Sequence, residues 1–349
     1  MLVPKLRFRE FKNEWETIKL KQILSFKNGI NANKDSYGRG IKYISVGDIL
    51  NNTFITYDKI KGLVDINEKM LNENSVEYGD IVFQRSSETF NDIGQSNVYL
   101  DKEKVATFGG FVIRGKKVGN YNPLFLNYLL KSPYNRQKII IKGAGAQHYN
   151  ISQEELEKIN INFTNEKEQK KIANLFSLLD KKIELQKQKI EALKIYKTGL
   201  IEKYFDCKNG EKTKISEILE EVENKTTENN QYDVISSTKD GLFLQKEYFN
   251  RSIASDDNSG YKILKKNQIV FSPQNLWMGN INYNNKYEIG IVSPSYKVFD
   301  INKKFDKDYI SYLLKTNKAI YYYTINSEQG ASIVRRNLNI ESFYEINFI

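Results

Sequence analysis

Groups able to do chemistry are scarce in this chain, which has one histidine, His148, and one cysteine, Cys207, among 349 residues. A lone cysteine excludes an intrachain disulfide and a cysteine-clustered zinc site, and Cys207 reads as a small unreactive side chain after a helix. A lone histidine excludes a paired-histidine metal site and leaves one imidazole base. Glycine loops that cradle phosphate are missing, because residues 143–145 and 108–110 match only fragments of the Walker and dinucleotide patterns. No Asn-Pro-Pro-aromatic run of an adenine methyltransferase occurs, and no Ser-His-Asp set repeats. Glu168-Gln169-Lys170 spells the acidic-x-Lys end of a nuclease motif, but at a helix start among other charges it reads as a solvated face. No apolar run approaches the roughly 20 residues needed to cross a bilayer, and the first ten residues lack a signal-peptide core. A cytoplasmic protein without a membrane partner is expected.

What is present is charge of one sign. Lys and Arg number 53 against 43 acids, a formal +10, and aromatic residues make up 13%. The balance favours a polyanionic partner, although the same lysine- and asparagine-rich composition suits an AT-rich genome. The length predicts two domains of roughly 150 residues.

The order of signals before the middle of the chain recurs after it. "LKQIL" (20–24), "KYISVGD" (42–48), "GDIVFQRSS" (79–87) and "LNYLLKSP" (126–133) are followed later by "ISEIL" (215–219), "DVISSTKDG" (233–241), "NQIVFSPQN" (267–275) and "ISYLLKTN" (310–317). Each half closes alike: "IKGAGAQHYNISQEELEKININF" (141–163) parallels "SEQGASIVRRNLNIESFYEINFI" (327–349). "DIVF" and "QIVF" have strand character, whereas 121–132 and 305–316 have helical spacing with a proline or aspartate near the start. Each half is therefore mixed α and β, and duplication explains five matches in one order.

Between the halves, residues 166–205 form a proline-free, lysine-rich stretch whose only glycine is Gly199. Phe176, Ile183 and Ile190 fall at one heptad position; Ile172, Leu179, Leu193 and Leu200 fall at the next, with Gln186 and Lys197 interrupting. This is coiled-coil patterning, and the apolar seam calls for a partner helix unless it packs on a domain of its own chain. A stiff rod between two similar modules suits contact with two points on a duplex, whose turn is about 34 Å.

Candidate contacts lie in turn-rich places. Arg85, Ser86 and Ser87 follow a strand, where arginine forks onto guanine or phosphate and hydroxyls donate to phosphate. The matching place in the second half holds Ser272, Gln274, Asn275 and Trp277; Gln and Asn suit adenine. The closing loops add Lys142, Gln147, His148 and Tyr149 in one half, and Ser332, Arg335 and Arg336 in the other, the basic groups giving sequence-independent affinity. His148 reads as a polar contact rather than a catalyst. The alternative for all of these is an ordinary solvated surface or a purely architectural turn. The tyrosines of "IYYYTIN" (320–326) offer stacking faces for bases or, more simply, core aromatics.

The chain resembles the specificity (S) subunit of type I restriction-modification enzymes. The likeness is carried by "VPKLRFREFKNEWETIKLKQI" (3–23), the closing segment "GAGAQHYNISQEELEKININF" and "EQKKIANLFSLLDKKIELQ" (168–186). It implies an α+β fold with two similar mixed α/β target-recognition domains, 1–164 and 206–349, joined by a coiled-coil-type spacer helix, 165–205. It implies a non-catalytic DNA-binding subunit of a bacterial restriction system, each domain reading one half of a bipartite target. The spacer helix would fix the gap and dock methyltransferase (M) subunits, which bind S-adenosylmethionine and methylate adenine; restriction (R) subunits would translocate and cut. The chain itself would hold no cofactor and no metal. A complete subunit of this kind carries a second long helix after its second domain, whereas this sequence stops at Ile349; either the chain is truncated, or another chain, including a second copy, is expected to cover Ile172, Phe176, Leu179, Ile183, Ile190 and Leu193. Two other readings are an enzyme acting on nucleic acid in its own right and a coiled-coil scaffold that binds only proteins.

Overall fold

The computed structural model describes residues 3–145, 148–206, 210–248, 257–329 and 335–348. The chain divides into two units, Met1–Gln188 and Lys189–Ile349. The division falls inside the long helix rather than at its two ends, because each end of the helix packs on its own neighbour.

In the first unit a four-stranded antiparallel sheet runs in the order Leu24–Asn28, Val112–Lys117, Ile81–Gln84, Ser96–Val98. Its central strands are buried on both faces. Ile81, Phe83 and Ile113 point into a core with Leu20, Leu126 and Leu156, whereas Val82 and Val112 point into another with Ile44, Ile55 and Phe108. Burial on both sides explains why "DIVF" is a continuous apolar run rather than an alternating one. Helix Pro123–Lys131 starts with Pro in its first turn, and the Asn122 carboxamide accepts from the Phe125 N–H. Helix Pro133–Ile140 follows, and Glu16–Lys19 pairs antiparallel with Asn160–Phe163, bringing the beginning of the unit beside its closing strand.

The second unit repeats this plan. Its four-stranded sheet runs Leu219–Glu221, Lys297–Ile301, Ile269–Phe271, Ile281–Tyr283, the same succession by sequence counterpart. Ile269, Phe271 and Phe299 face one core, and Val270 and Val298 face the other. Helices Lys307–Leu313 and Asn317–Ile325 match the earlier pair, with Asp306 as the capping acceptor for Tyr309 N–H. Thr213–Lys214 pairs with Asn347–Phe348 as Glu16–Lys19 pairs with Asn160–Phe163. Tyr323 lies in the core with its hydroxyl donating to the Leu314 carbonyl, while Tyr321 faces outward; the tyrosine run is thus helical and partly core.

The long helix spans Glu166–Phe205, 40 residues, or about 60 Å at 1.5 Å per residue. Its first turns are pinned to the first unit. Glu168 is fully buried and takes the Arg7 guanidinium on both oxygens, at 2.6 and 2.8 Å, plus the Thr164 hydroxyl at 2.6 Å. Burial pushes its carboxyl up, and Arg7 and Thr164 more than reverse this, leaving it below the usual range. Gln169 donates to the Thr164 carbonyl and accepts from Asn122 N–H. In the acidic-x-Lys stretch expected on a solvated face, Glu168 and Gln169 are therefore a buried anchor, because the acid has an arginine partner 161 residues away, while Lys170 is exposed. In the second unit the last turns meet helix Lys307–Leu313 and the start of helix Asn317–Ile325: Phe205 lies 4.8 Å from the Tyr309 ring, and Glu202 accepts from Asn317 N–H.

Candidate nucleic-acid interface

In the first unit, strand Ile81–Gln84 ends at a place where two distant segments meet. The two-residue strand Ser86–Ser87 pairs antiparallel with Tyr149–Asn150, and Ile151 N–H donates to the Arg85 carbonyl at 3.0 Å. The Ser86 hydroxyl donates to the Asn150 carboxamide oxygen. Ala144 and Asn150 exchange both backbone hydrogen bonds at 2.9 Å, closing the loop between them. Gly145 makes that closure possible: its φ is +142°, and a Cβ there would sit 1.9 Å from the His148 carbonyl oxygen. His148 is exposed, and the Tyr149 ring meets Phe90 edge-on at 5.3 Å.

Not every candidate here faces outward. Arg85 is half-buried and turns its guanidinium toward the Gly110 carbonyl at 3.2 Å. Ser87 is buried, with its hydroxyl oxygen accepting from Thr89 N–H. Lys142 is ion-paired to Glu155 at 2.9 Å, and Glu155 also holds Lys158 at 2.8 Å. Lys158 and then Lys142 lower the Glu155 carboxyl to about 2, so its charge persists across physiological pH and offsets that of Lys142. Gln147 lies outside the described residues.

The second unit builds the same junction from different side chains. Ser272 follows strand Ile269–Phe271, is buried, and uses its carbonyl to accept from Asn275 N–H, which bends the chain. Its burial removes it from the outer surface, whereas Gln274 is exposed and Asn275 half-exposed. The Gln274 carbonyl accepts from Arg336 N–H at 3.2 Å. The Arg336 guanidinium lies 4.7 Å over the Trp277 ring. Thr324 donates its hydroxyl to the Trp277 carbonyl at 3.3 Å, while its own carbonyl takes Arg336 Nη1 at 3.4 Å. Arg335 is exposed beside it, and Ser332 lies outside the described residues.

The structure thus joins candidates 62 residues apart in each unit, Ser87 with Tyr149 and Gln274 with Arg336. Phe90 and Asn150 belong to the first junction and were not singled out from the sequence. The signal for Asn150 was present, since Asn150-Ile151 and Asn337-Leu338 occupy the same step of the repeated closing segment. Phe90 carried none, because an aromatic in a polar loop has no period to reveal what it faces.

On the long helix, Ile172 packs into a small core with Trp15, Phe125 and Ala173. The Phe176 ring lies 5.2 Å from Tyr128, whose hydroxyl donates to Asp180. The first turn and a half of the seam therefore docks on its own unit. Leu179, Ile183, Ile190 and Leu193 remain about half exposed, together with Leu178 and Tyr196. Among the described residues no group of three His, Cys, Asp or Glu side chains is placed to hold a metal ion, and no helix is long and apolar enough to cross a membrane.

A family model for the type I restriction modification DNA specificity domain matches residues 12–194. A curated relative from Methanocaldococcus jannaschii, carrying the name of the MjaX type I restriction enzyme specificity subunit, is 29% identical over 231 residues, 63% of this chain. The chain spans about half of that relative's length, 53%. The type I restriction-modification S subunit from M. genitalium is similar in structure at 16% identity, with a TM-score of 0.52, covering 99% of this chain and 86% of that one. A chain from a structure of a type I R-M system, solved for its complex assembly and conformational transition, has a TM-score of 0.58 at 9% identity, covering 96% and 85%. At these identities the structural likeness bears on the fold.

Proposed function

The chain belongs to the type I restriction modification DNA specificity family, and on that premise we propose that it is the non-catalytic DNA-reading subunit of a type I restriction-modification complex. Residues 1–164 and 206–349 each read one half of a bipartite duplex target. The helix Glu166–Phe205 sets the gap and offers its exposed Leu179, Ile183, Ile190 and Leu193 to M subunits. S-adenosylmethionine is bound by those M subunits, R subunits join the same complex, and the assembly works in the cytoplasm.

The observation that carries this reading is the duplicated junction. Each unit brings the loop after a central strand beside its closing loop, on one scaffold and with different side chains: Ser86 and Tyr149 in the first, Gln274 and Arg336 in the second. A shared frame with divergent tips is what two readers of different half-sites require, since position comes from the frame and sequence from a few side chains at base edges. Charge supports it unequally: residues 1–188 hold 30 basic against 22 acidic side chains, a net +8, leaving +2 for the rest. The first unit therefore supplies most of the salt-sensitive attraction.

The test is selection from a random duplex library by the chain co-purified with an M subunit. A split consensus with a fixed gap is expected. Retention of the M subunit without enrichment of any sequence would leave the chain a protein-binding scaffold.

A further inference from the structure

The two junctions place unlike residues at the same step. Aligning Asn150-Ile151 with Asn337-Leu338 sets Tyr149 against Arg336. In both units this residue lies on an aromatic ring from the loop after the central strand: Tyr149 on Phe90 at 5.3 Å, Arg336 on Trp277 at 4.7 Å. Both are also fixed through the backbone to that loop, Tyr149 in register with Ser87 and Arg336 by donating to the Gln274 carbonyl.

Building on the DNA-reading role above, we propose that this step is the base-reading position of each unit, and that Arg336 reads a guanine in the half-site of the second unit. A phosphate counter-charge can be supplied by a mobile, solvent-exposed arginine, and Arg335, exposed next to it, has that character. Arg336 is instead half-buried, with its plane fixed by an indole and one nitrogen on the Thr324 carbonyl. A guanidinium oriented in advance loses less freedom when it binds. Its remaining donors, Nε and Nη2, are uncommitted among the described residues. Guanine is the one base whose major-groove edge presents two adjacent acceptors, O6 and N7, matching two parallel N–H groups; adenine replaces one acceptor with a donor, and thymine offers a single acceptor. Tyr149 has no such fork, so the first unit reads something else at this step.

The experiment compares consensus sequences selected from a random duplex library by the M-subunit complex of the unaltered chain, Arg336→Ala and Arg336→Lys. Expected for Arg336→Ala is loss of preference at one G·C pair in one half-site, an unchanged other half-site, and about 5- to 150-fold weaker binding to the original consensus. Arg336→Lys keeps the charge without the fork and should relax the same base pair while binding random DNA as before; if Arg336→Ala fails to fold, this variant decides. An unaltered consensus in both variants would overturn the proposal. So would weakening that is equal for every sequence with a shallower salt dependence, which would make Arg336 a phosphate contact. If the unaltered chain selects no sequence, the DNA-reading role itself fails, and this inference with it.

Discussion

Replacing Glu168 by Gln should loosen the start of the long helix from the first unit by about 3–5 kcal/mol, the usual cost of removing one partner from a buried ion pair. The structure sets that scale. Glu168 is fully buried, Arg7 is 14% exposed, and the carboxylate accepts three charge-assisted hydrogen bonds of 2.6–2.8 Å. A neutral amide would leave the guanidinium buried against a weak acceptor. Arg7→Met and Glu168→Met alone should each destabilise, the former by stranding the buried carboxylate, whereas the two together should recover much of the loss, because the desolvation penalty of the carboxylate disappears. The chain has two tryptophans, so in a Trp277→Phe background the emission of Trp15 reports on this region alone; Trp15 is buried against Phe125 beside Ala173 of the helix. In urea, with slopes of about 1–3 kcal/mol/M, the single variants should lower the Trp15 midpoint by 1 M or more. The folded carboxyl titrates below its ordinary value, so its stabilisation is present above that value and is lost as pH falls through the lowered one. Glu168→Gln should remove that acid-dependent step. A loss below about 1 kcal/mol, or single costs that add in the double variant, would refute the argument.

Three further outcomes are expected. Gly145→Ala, at φ +142° with its Cβ driven into the His148 carbonyl, should open the first closing loop at a cost of about 1–3 kcal/mol and abolish selection at one half-site while the other persists; an unchanged consensus would contradict it. Arg335→Gln should weaken binding to all duplexes alike and make the slope of log affinity against log salt shallower by about one, measured by fluorescence anisotropy; a sequence-dependent loss would count against a phosphate role. Ile183→Lys with Ile190→Lys should abolish recovery of the M subunit on co-purification and any self-association seen by sedimentation, because both side chains stand about half exposed on the helix; undiminished recovery would place the docking face elsewhere.

Much of this architecture was legible because it is periodic or repeated. The helix Glu166–Phe205 follows from heptad spacing and the lack of proline, and the matching sheet orders follow from signals recurring in one order. What escaped depends on contacts distant in sequence. Glu168 looked solvated because nothing near it marks Arg7 as a partner, and the docking of Ile172 and Phe176 on Trp15, Phe125 and Tyr128 is invisible to a heptad count. The site candidates were legible as segments and less so as side chains. Lys142 and Arg85 are turned to Glu155 and to the Gly110 carbonyl, whereas the seating of Arg336 on Trp277 needs a loop and a strand 59 residues apart.

The central claim is that two units read one site together, with the helix holding the gap. Its most direct measurement is affinity for duplexes carrying both selected half-sites as the gap is changed. Lengthening the gap by five base pairs turns one half-site to the opposite face of the duplex, about half a helical turn. The account predicts that binding then falls to that of a duplex with one half-site. Equal affinity at both gaps would mean that the units bind independently and that the helix measures nothing.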